Sequence, residues 1–303
     1  MRGWTFPFSF CLAIAALAFI GCSRPAAASG PRYAAASALP GPPKYTFAVH
    51  PLYNPTRLLE AYQPLIDYLN RRIDGARLTL EASRDYGAFE RKYRQRKPDF
   101  LLANPWHTLD AIRRGYHVIA MAGLPSEGRG IIFVRKDSGI ERPEDLRGKT
   151  ISYPAPTGFA ACIMPQYFLH RHGLDVDSLA RNKYVGSQES AIMNVYLGLA
   201  EAGAAVPPSW QAFRADHPRR AAKLKLAWET EPLVNNSVMA RDDLPRELVD
   251  RIASLLADLS GAGDGAAILA GIRTARFVPA NDRSYDVVRP YIAGFEKEVR
   301  KVE

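Results

Sequence analysis

Residues 148–173 read GKTISYPAPTGFAACIMPQYFLHRHG, and the rest of the chain is best read outward from them. The β-branched run Thr150-Ile151-Ser152 ends at Pro154 and Pro156, and Thr157-Gly158 then opens an apolar stretch with helical spacing. A strand, a tight turn and a helix N-terminus in that order describe a corner of an α/β protein. The free N–H groups at such a corner are suited to a negatively charged group.

The same alternation runs through most of the 303 residues. Upstream, strands are predicted at Tyr45 to His50, Leu78 to Ala82, Asp99 to Ala103 and His117 to Ala122. Helices are predicted after Asn54-Pro55, where an N-cap precedes a proline at the first helical position, around Tyr86 to Arg96, and from Asn104 to Ile112. Downstream, strands are expected at Gly130 to Arg135, Ala204 to Val206, Leu224 to Trp228 and Val234 to Ala240. Helices are expected at Gly158 to His172, Glu189 to Glu201, Pro245 to Leu259 and Tyr285 to Val299. Strands alternating with helices of this length imply α/β layers on mostly parallel sheets. The ordered part is longer than one core usually grows to, so two α/β lobes are expected.

The N-terminus concerns location. Arg2 precedes an apolar run from Trp4 to Ile20, which ends in Phe19-Ile20-Gly21-Cys22. This is similar to a bacterial lipoprotein signal, with residues 1–21 as the signal peptide and Cys22 as the lipidated mature N-terminus. Cleavage after Ala28, or retention as an anchor helix, are the alternatives, and all three export the folded part. Residues 22–44 are rich in small residues and proline and read as a disordered tether. Only Cys162 then remains, which excludes an intrachain disulfide and a cysteine-built zinc site; it reads as a small buried hydrophobe.

Composition, with 47% apolar and 23% charged residues, is ordinary for a folded soluble protein with real cores. The net charge of +9 suits an anionic partner without choosing one. The most basic window, Arg91 to Lys97, puts Phe89 and Tyr93 on one helical face and its charges around the other. It reads as a solvated helix face, and no nucleic-acid partner is expected. His170 and His172 are two apart on a helix and cannot share a metal, and His50, His107 and His117 are scattered. With no Gly-x-Ser-x-Gly elbow, Walker loop or His-Glu-x-x-His motif, the expectation is no metal, no cofactor and no catalysis.

In open α/β sheets ligands sit beyond the carboxyl ends of strands. The polar or aromatic turns at such places carry Tyr86, Asn104, Trp106, Thr157, Gly158, Gln188, Trp210, Asn235 and Asn236, which are the candidate ligand-binding residues. Gln188 competes between capping the helix that follows and meeting the ligand.

The segments RGKTISYPAPTG, VGSQESAIMNVYLG, EPLVNNSVMARDDLP and RFVPANDRSYDVVRP, preceded by LLEAYQPLIDYLNRRI, SRDYGAFE and PDFLLANPWHTLDA, carry a resemblance. Their order and spacing resemble the phosphate/phosphite/phosphonate substrate-binding proteins of ABC transporters, from Tyr45 to Val299. The resemblance implies a two-lobed periplasmic-binding-protein fold, with a mixed, mostly parallel sheet in each lobe and a two-strand hinge. Residues 45–130 with 238–303 would form one lobe and 131–237 the other, closing on a small ligand. It also implies an ABC permease and ATPase as partners in the periplasm, with lipid on Cys22 holding the protein to the membrane. A module sensing a ligand for a membrane histidine kinase, or an exported enzyme, are the competing classes.

The sequence departs from the family's anion cradle, a turn that usually reads Ser-Thr-Ser-Gly. Here Ala155-Pro156-Thr157-Gly158 retains one hydroxyl, and each donor lost to a charged oxygen forfeits roughly 1.5–3 kcal/mol. Gln188 stands where the family places a histidine. Trp210 and Asn235-Asn236 stand roughly where amino-phosphonate binders carry carboxylates, so an ammonium there would lack its counter-charge. Tyr86 matches a tyrosine that lines the family's ligand.

Overall fold

The computed structural model describes residues 41–302. The expected signal peptide, Cys22 and nearly all of the tether lie outside the described residues. Alternation begins as the sequence predicts. Strand β1 (Lys44–Val49), helix α1 (Pro55–Asn70), β2 (Arg77–Glu81), α2 (Tyr86–Arg94), β3 (Phe100–Ala103), α3 (Pro105–Ile112) and β4 (Tyr116–Ala122) follow one another. Next come β5 (Ile131–Arg135), β6 (Thr150–Tyr153), α4 (Met164–Arg171), β7 (Arg181–Tyr184), α5 (Gln188–Tyr196) and β8 (Ala202–Ala205). Helices α6 (Pro207–Asp216) and α7 (Pro218–Ala221) lead to β9 (Leu224–Glu229) and β10 (Asn236–Arg241). The chain closes with α8 (Arg246–Ala257), α9 (Gly265–Ile272), β11 (Phe277–Val278) and α10 (Val288–Glu298).

The strands form two mixed sheets. The first has the order β11-β4-β10-β3-β1-β2, with β1 parallel to β2 and β3, and β10 antiparallel to β3 and β4. The second has the order β7-β6-β8-β5-β9, with β6 parallel to β7 and β8, and β5 antiparallel to β8 and β9. The chain therefore builds β1 to β4, leaves to build the whole second sheet, and returns as β10 between β3 and β4. Such an excursion is the two-lobed architecture expected from the alternation.

The outgoing and returning segments run beside each other. Gly130 N–H donates to Thr230 Oγ1 and Thr230 N–H to the Gly130 carbonyl, both at 2.9 Å, and Leu233 N–H donates to the Gly128 carbonyl at 3.0 Å. Glycine is required at both places for close approach. A Cβ on Gly128 would strike the Val234 carbonyl, and one on Gly130 the Ala160 carbonyl of the second lobe.

Five elements, α7 among them, escaped the sequence reading. Strand β7 (RNKY) is an edge strand with mostly exposed side chains, so no alternation marks it; its pairing with β6 makes it a strand. The Pro207-Pro208 pair, read as a turn, starts α6, because proline fits the first positions of a helix. Helix α9 buries Gly265, Ile268, Leu269 and Ile272 at helical spacing but is rich in glycine and alanine, whereas the four-residue α7 and the two-residue β11 are too short to show a period.

The corner after β6 also differs in detail. Phe159 to Ile163 form a π-helical turn, with Ile163 N–H donating to the Gly158 carbonyl at 3.0 Å, and α4 starts only at Met164. Cys162 lies within that turn, fully buried, and burial pushes its thiol up to about 12. In α2, Phe89 and Tyr93 are buried while Arg91 and Arg94 are exposed, as is Lys97 just beyond the helix, in line with their spacing.

Candidate functional site

Two places bring the candidate residues together, and they are chemically unlike. The first is a buried polar and aromatic cluster where the turns after β1, β3 and β6 meet α2. Asn104 accepts from Trp106 N–H (2.9 Å) and His107 N–H (3.0 Å) to cap α3, and its amide donates to the Thr157 carbonyl at 3.2 Å. One side chain thus starts a helix of the first lobe and holds the corner of the second. Asp85 caps α2 through Ala88 N–H, which brings Tyr86 and Glu90 onto one face a helical turn apart. The Gln188 amide points at the Tyr86 hydroxyl at 3.4 Å, and its oxygen accepts from Val206 N–H at 2.9 Å. The cap of α5 is Ser187, so Gln188 is free of that role. Gly158 is extended and carries the first bond of the π turn.

At the centre is a residue the sequence reading passed over. The Glu90 carboxylate accepts from Thr157 Oγ1 at 2.5 Å, lies 3.0 Å from His107 Nε2, and pairs with Arg94 at 3.4 Å. Burial raises the pKa of this carboxyl. His107, Thr157 and Arg94 more than offset that, and the net shift is downward. A permanent carboxylate is therefore tethered on the one hydroxyl that survives in the turn. Trp106 flanks it, its ring centroid 5.5 Å from that of His107, with the Arg94 guanidinium 5.9 Å from the indole. Pro156, which has no N–H to give, offers its carbonyl to Arg300 at 2.9 Å.

His50 completes the cluster. Its ring lies 5.9 Å from that of Tyr86 and 6.3 Å from that of His107, and both of its nitrogens are buried without a partner among the described residues. Burial first, and the charge of His107 second, push its pKa well below 6.5. His50 is thus neutral in the folded protein and titrates normally in the unfolded chain. Its stabilising contribution is complete above pH 6.5 and is lost as pH falls toward its depressed folded pKa. We expect denaturant-measured stability to decline below pH 6.5 by up to about 1.4 kcal/mol per pH unit from this group. His50→Phe should flatten that decline between pH 6.5 and 5. An unchanged slope in the variant would remove His50 as the cause.

The second place is a cavity of about 330 Å³ beside the paired connecting segments. Asn235 and Asn236 line it, together with Leu52, Tyr62 and Arg273 of the first lobe and Ala160, Pro207 and Gln211 of the second. Asn235 is fixed by Tyr285, whose hydroxyl donates to its carbonyl at 2.9 Å. Arg129 at the rim is neutralised by Glu229 at 3.1 Å. Trp210 belongs to neither place. Its indole stacks on Phe133 at 5.9 Å and on Phe213 at 6.2 Å, within the core of the second lobe. Among the described residues no group of three or more His, Cys, Asp or Glu is placed to hold a metal ion.

Glu90 and His107 could have been suspected from sequence, since they stand four residues after Tyr86 and three after Asn104. His50 and Arg273 carry no local signal, because their environments are made by distant segments.

Comparison with known proteins agrees with this architecture. A probable ABC transporter phosphite binding protein, PhnD1, from Prochlorococcus marinus (strain MIT 9301) is 26% identical over 135 residues. That match spans 42% of this chain and only 46% of the relative's length. The crystal structure of PhnD1 from the same organism in complex with methylphosphonate superposes with a TM-score of 0.77 at 19% identity, over 85% of this chain and 100% of that one. A binding protein component of an ABC phosphonate transporter from Pseudomonas aeruginosa gives the same TM-score at 16% identity, over 84% and 87%. Both likenesses establish the fold. Residues 47–285 match the family described as "ABC transporter, phosphonate, periplasmic substrate-binding protein", and this two-lobed chain belongs to that family.

Proposed function

We propose that this protein is the exported substrate-binding component of an ABC importer. On this reading residues 45–130 with 238–303 and residues 131–237 are the two lobes. They close on a small, oxyanion-bearing ligand, and the closed state delivers it to a membrane permease with its ATPase. Lipid on Cys22 would hold the protein at the membrane on the periplasmic side, with the segment to residue 44 as a spacer. The observation that carries the reading is a cavity lined from both sheets at the point where the two connecting segments pair. A ligand there touches both lobes, so its binding favours the closed state over the open one.

The relatives support the ligand's general class, since one is named for phosphite and one was solved with methylphosphonate. The local chemistry argues against those two ligands here. Two hydroxyl donors are absent from the Thr157 turn, and the one present is engaged by Glu90. We expect phosphate, phosphite and methylphosphonate to bind the full chain weakly or not at all by calorimetry; a sub-micromolar dissociation constant for any of them would overturn this reading of the turn. The transport reading itself is tested by mass spectrometry of small molecules that co-purify with the full chain. The anchor is tested by labelling cells with a palmitate analogue, where Cys22→Ala should abolish incorporation.

A further inference from the structure

We infer that the cavity beside the connecting segments is the ligand site of this chain, and that it takes an organic acid with an apolar body, its acid group held by Arg273. The inference rests on the transport reading and narrows its ligand.

The place a bare oxyanion would take at the Thr157 turn already holds an anion, the Glu90 carboxylate on Thr157 and His107. A second negative charge beside it would meet repulsion in a poorly hydrated setting. The cavity lining carries two arginines and two carboxylates, of which Glu127 is exposed and accepts from Leu124 N–H at 2.9 Å. Arg129 is cancelled by Glu229, but no hydrogen bond or ion pair joins the Arg273 guanidinium to another described residue. Arg273 is half-buried and holds its backbone at φ 52°, a left-handed conformation rare for a residue with a side chain. That conformation is the cap that ends α9, with the Arg273 N–H donating to the Ala270 carbonyl at 3.2 Å.

Two neutral side chains line the same cavity with no side-chain hydrogen bond among the described residues: Asn236 at the start of β10 and Gln211 in α6. Arg273 follows α9 and Asn236 begins β10 of the first sheet, whereas Gln211 lies in α6 of the second lobe, so the three polar groups come from both lobes. A carboxylate or phosphonate on Arg273 gains a forked, charge-assisted pair, and the amides of Asn236 and Gln211 reach across to the other lobe.

Apolar side chains share the lining with these groups, Leu52, Leu102, Val206 and Ile272 among them. A cavity of about 150 Å³ lined by such residues suffices for benzene. At about 330 Å³ there is room for a ring or a branched chain together with its acid group. Methylphosphonate would leave most of that lining without partner atoms.

Arg273→Gly makes a clean test, because glycine accepts φ 52° without strain and only the cation is lost. Calorimetry on the full chain in mild detergent would compare phenylacetate, phenylphosphonate and methylphosphonate, with Arg273→Gly alongside and melting temperature recorded for both proteins. The expected result is that phenylacetate or phenylphosphonate binds at least tenfold more tightly than methylphosphonate. Arg273→Gly should lose at least tenfold in that affinity with an undiminished melting temperature. Methylphosphonate binding as tightly as the aryl acids, or aryl-acid binding untouched by Arg273→Gly, overturns the inference and leaves the transport reading standing. If none of the three binds and no small molecule co-purifies, both fall.

Discussion

Glu90→Ala is expected to cost about 3–5 kcal/mol of folding stability at neutral pH, as removal of one member of a buried charged pair does. The substitution leaves His107 Nε2 and the Thr157 hydroxyl without their acceptor in a site where water is scarce. Arg94 suffers less, because it keeps Asp110 at 3.0 Å. Glu90→Gln retains a carbonyl oxygen for the same two donors and should cost clearly less. Guanidinium unfolding at pH 7.5 measures both. Equal and small losses would mean that the carboxylate is solvated and does not fill the turn. The ordering matters for function as well as for stability, since the occupied Thr157 hydroxyl is the reason small oxyanions are expected to bind poorly.

Phe295→Ala should be about as costly, at about 3–5 kcal/mol, the usual range for deleting a fully buried aromatic ring. Phe295 is completely buried in α10, 5.9 Å from the ring of Tyr167, with the Arg300 guanidinium 5.3 Å away. Its second effect is on shape. Helix α10 follows the last strand of the first sheet, yet packs on the second lobe. Tyr167 donates to Glu298 at 2.8 Å, Phe159 meets Tyr291 at 5.5 Å, and Arg300 reaches the Pro156 carbonyl. Loosening that contact should let the lobes separate, which solution X-ray scattering would record as a larger radius of gyration before any loss of secondary structure. A destabilised variant with unchanged dimensions would make α10 a plain core helix with no part in holding the lobes together.

Much of the fold was legible because its signals are local. Asn54-Pro55 and Asn104-Pro105 are caps followed by first-turn prolines, and both begin helices where expected. The apolar spacing of α1 survives an internal Pro64, and the run Phe100 to Ala103 reads as a strand buried on both faces. Elements without an apolar period were illegible for the same reason. The strand character of β7 lies in its bonds to β6, and α6 hides behind two prolines that read equally well as a turn. The candidate site was legible only as a set of positions. Tyr86, Asn104, Thr157 and Gln188 stand on strand-to-helix turns and do converge, whereas Trp210 stands on such a turn and packs into the second core.

The sequence by itself determined the α/β alternation, the order of the turns and the poverty of hydroxyl donors at Ala155-Pro156-Thr157, because each depends on neighbours within a few residues. Only the tertiary structure decided what those turns face. It set the Glu90 carboxylate from α2 on Thr157, 67 residues away in sequence, and buried His50 against His107. It also set Arg273 in a cavity beside Asn236 and Gln211, with no ion pair to another described residue. Charge, burial and hydrogen bonding act through space over a few ångströms, and segments far apart in the chain become neighbours only when the two lobes fold and meet.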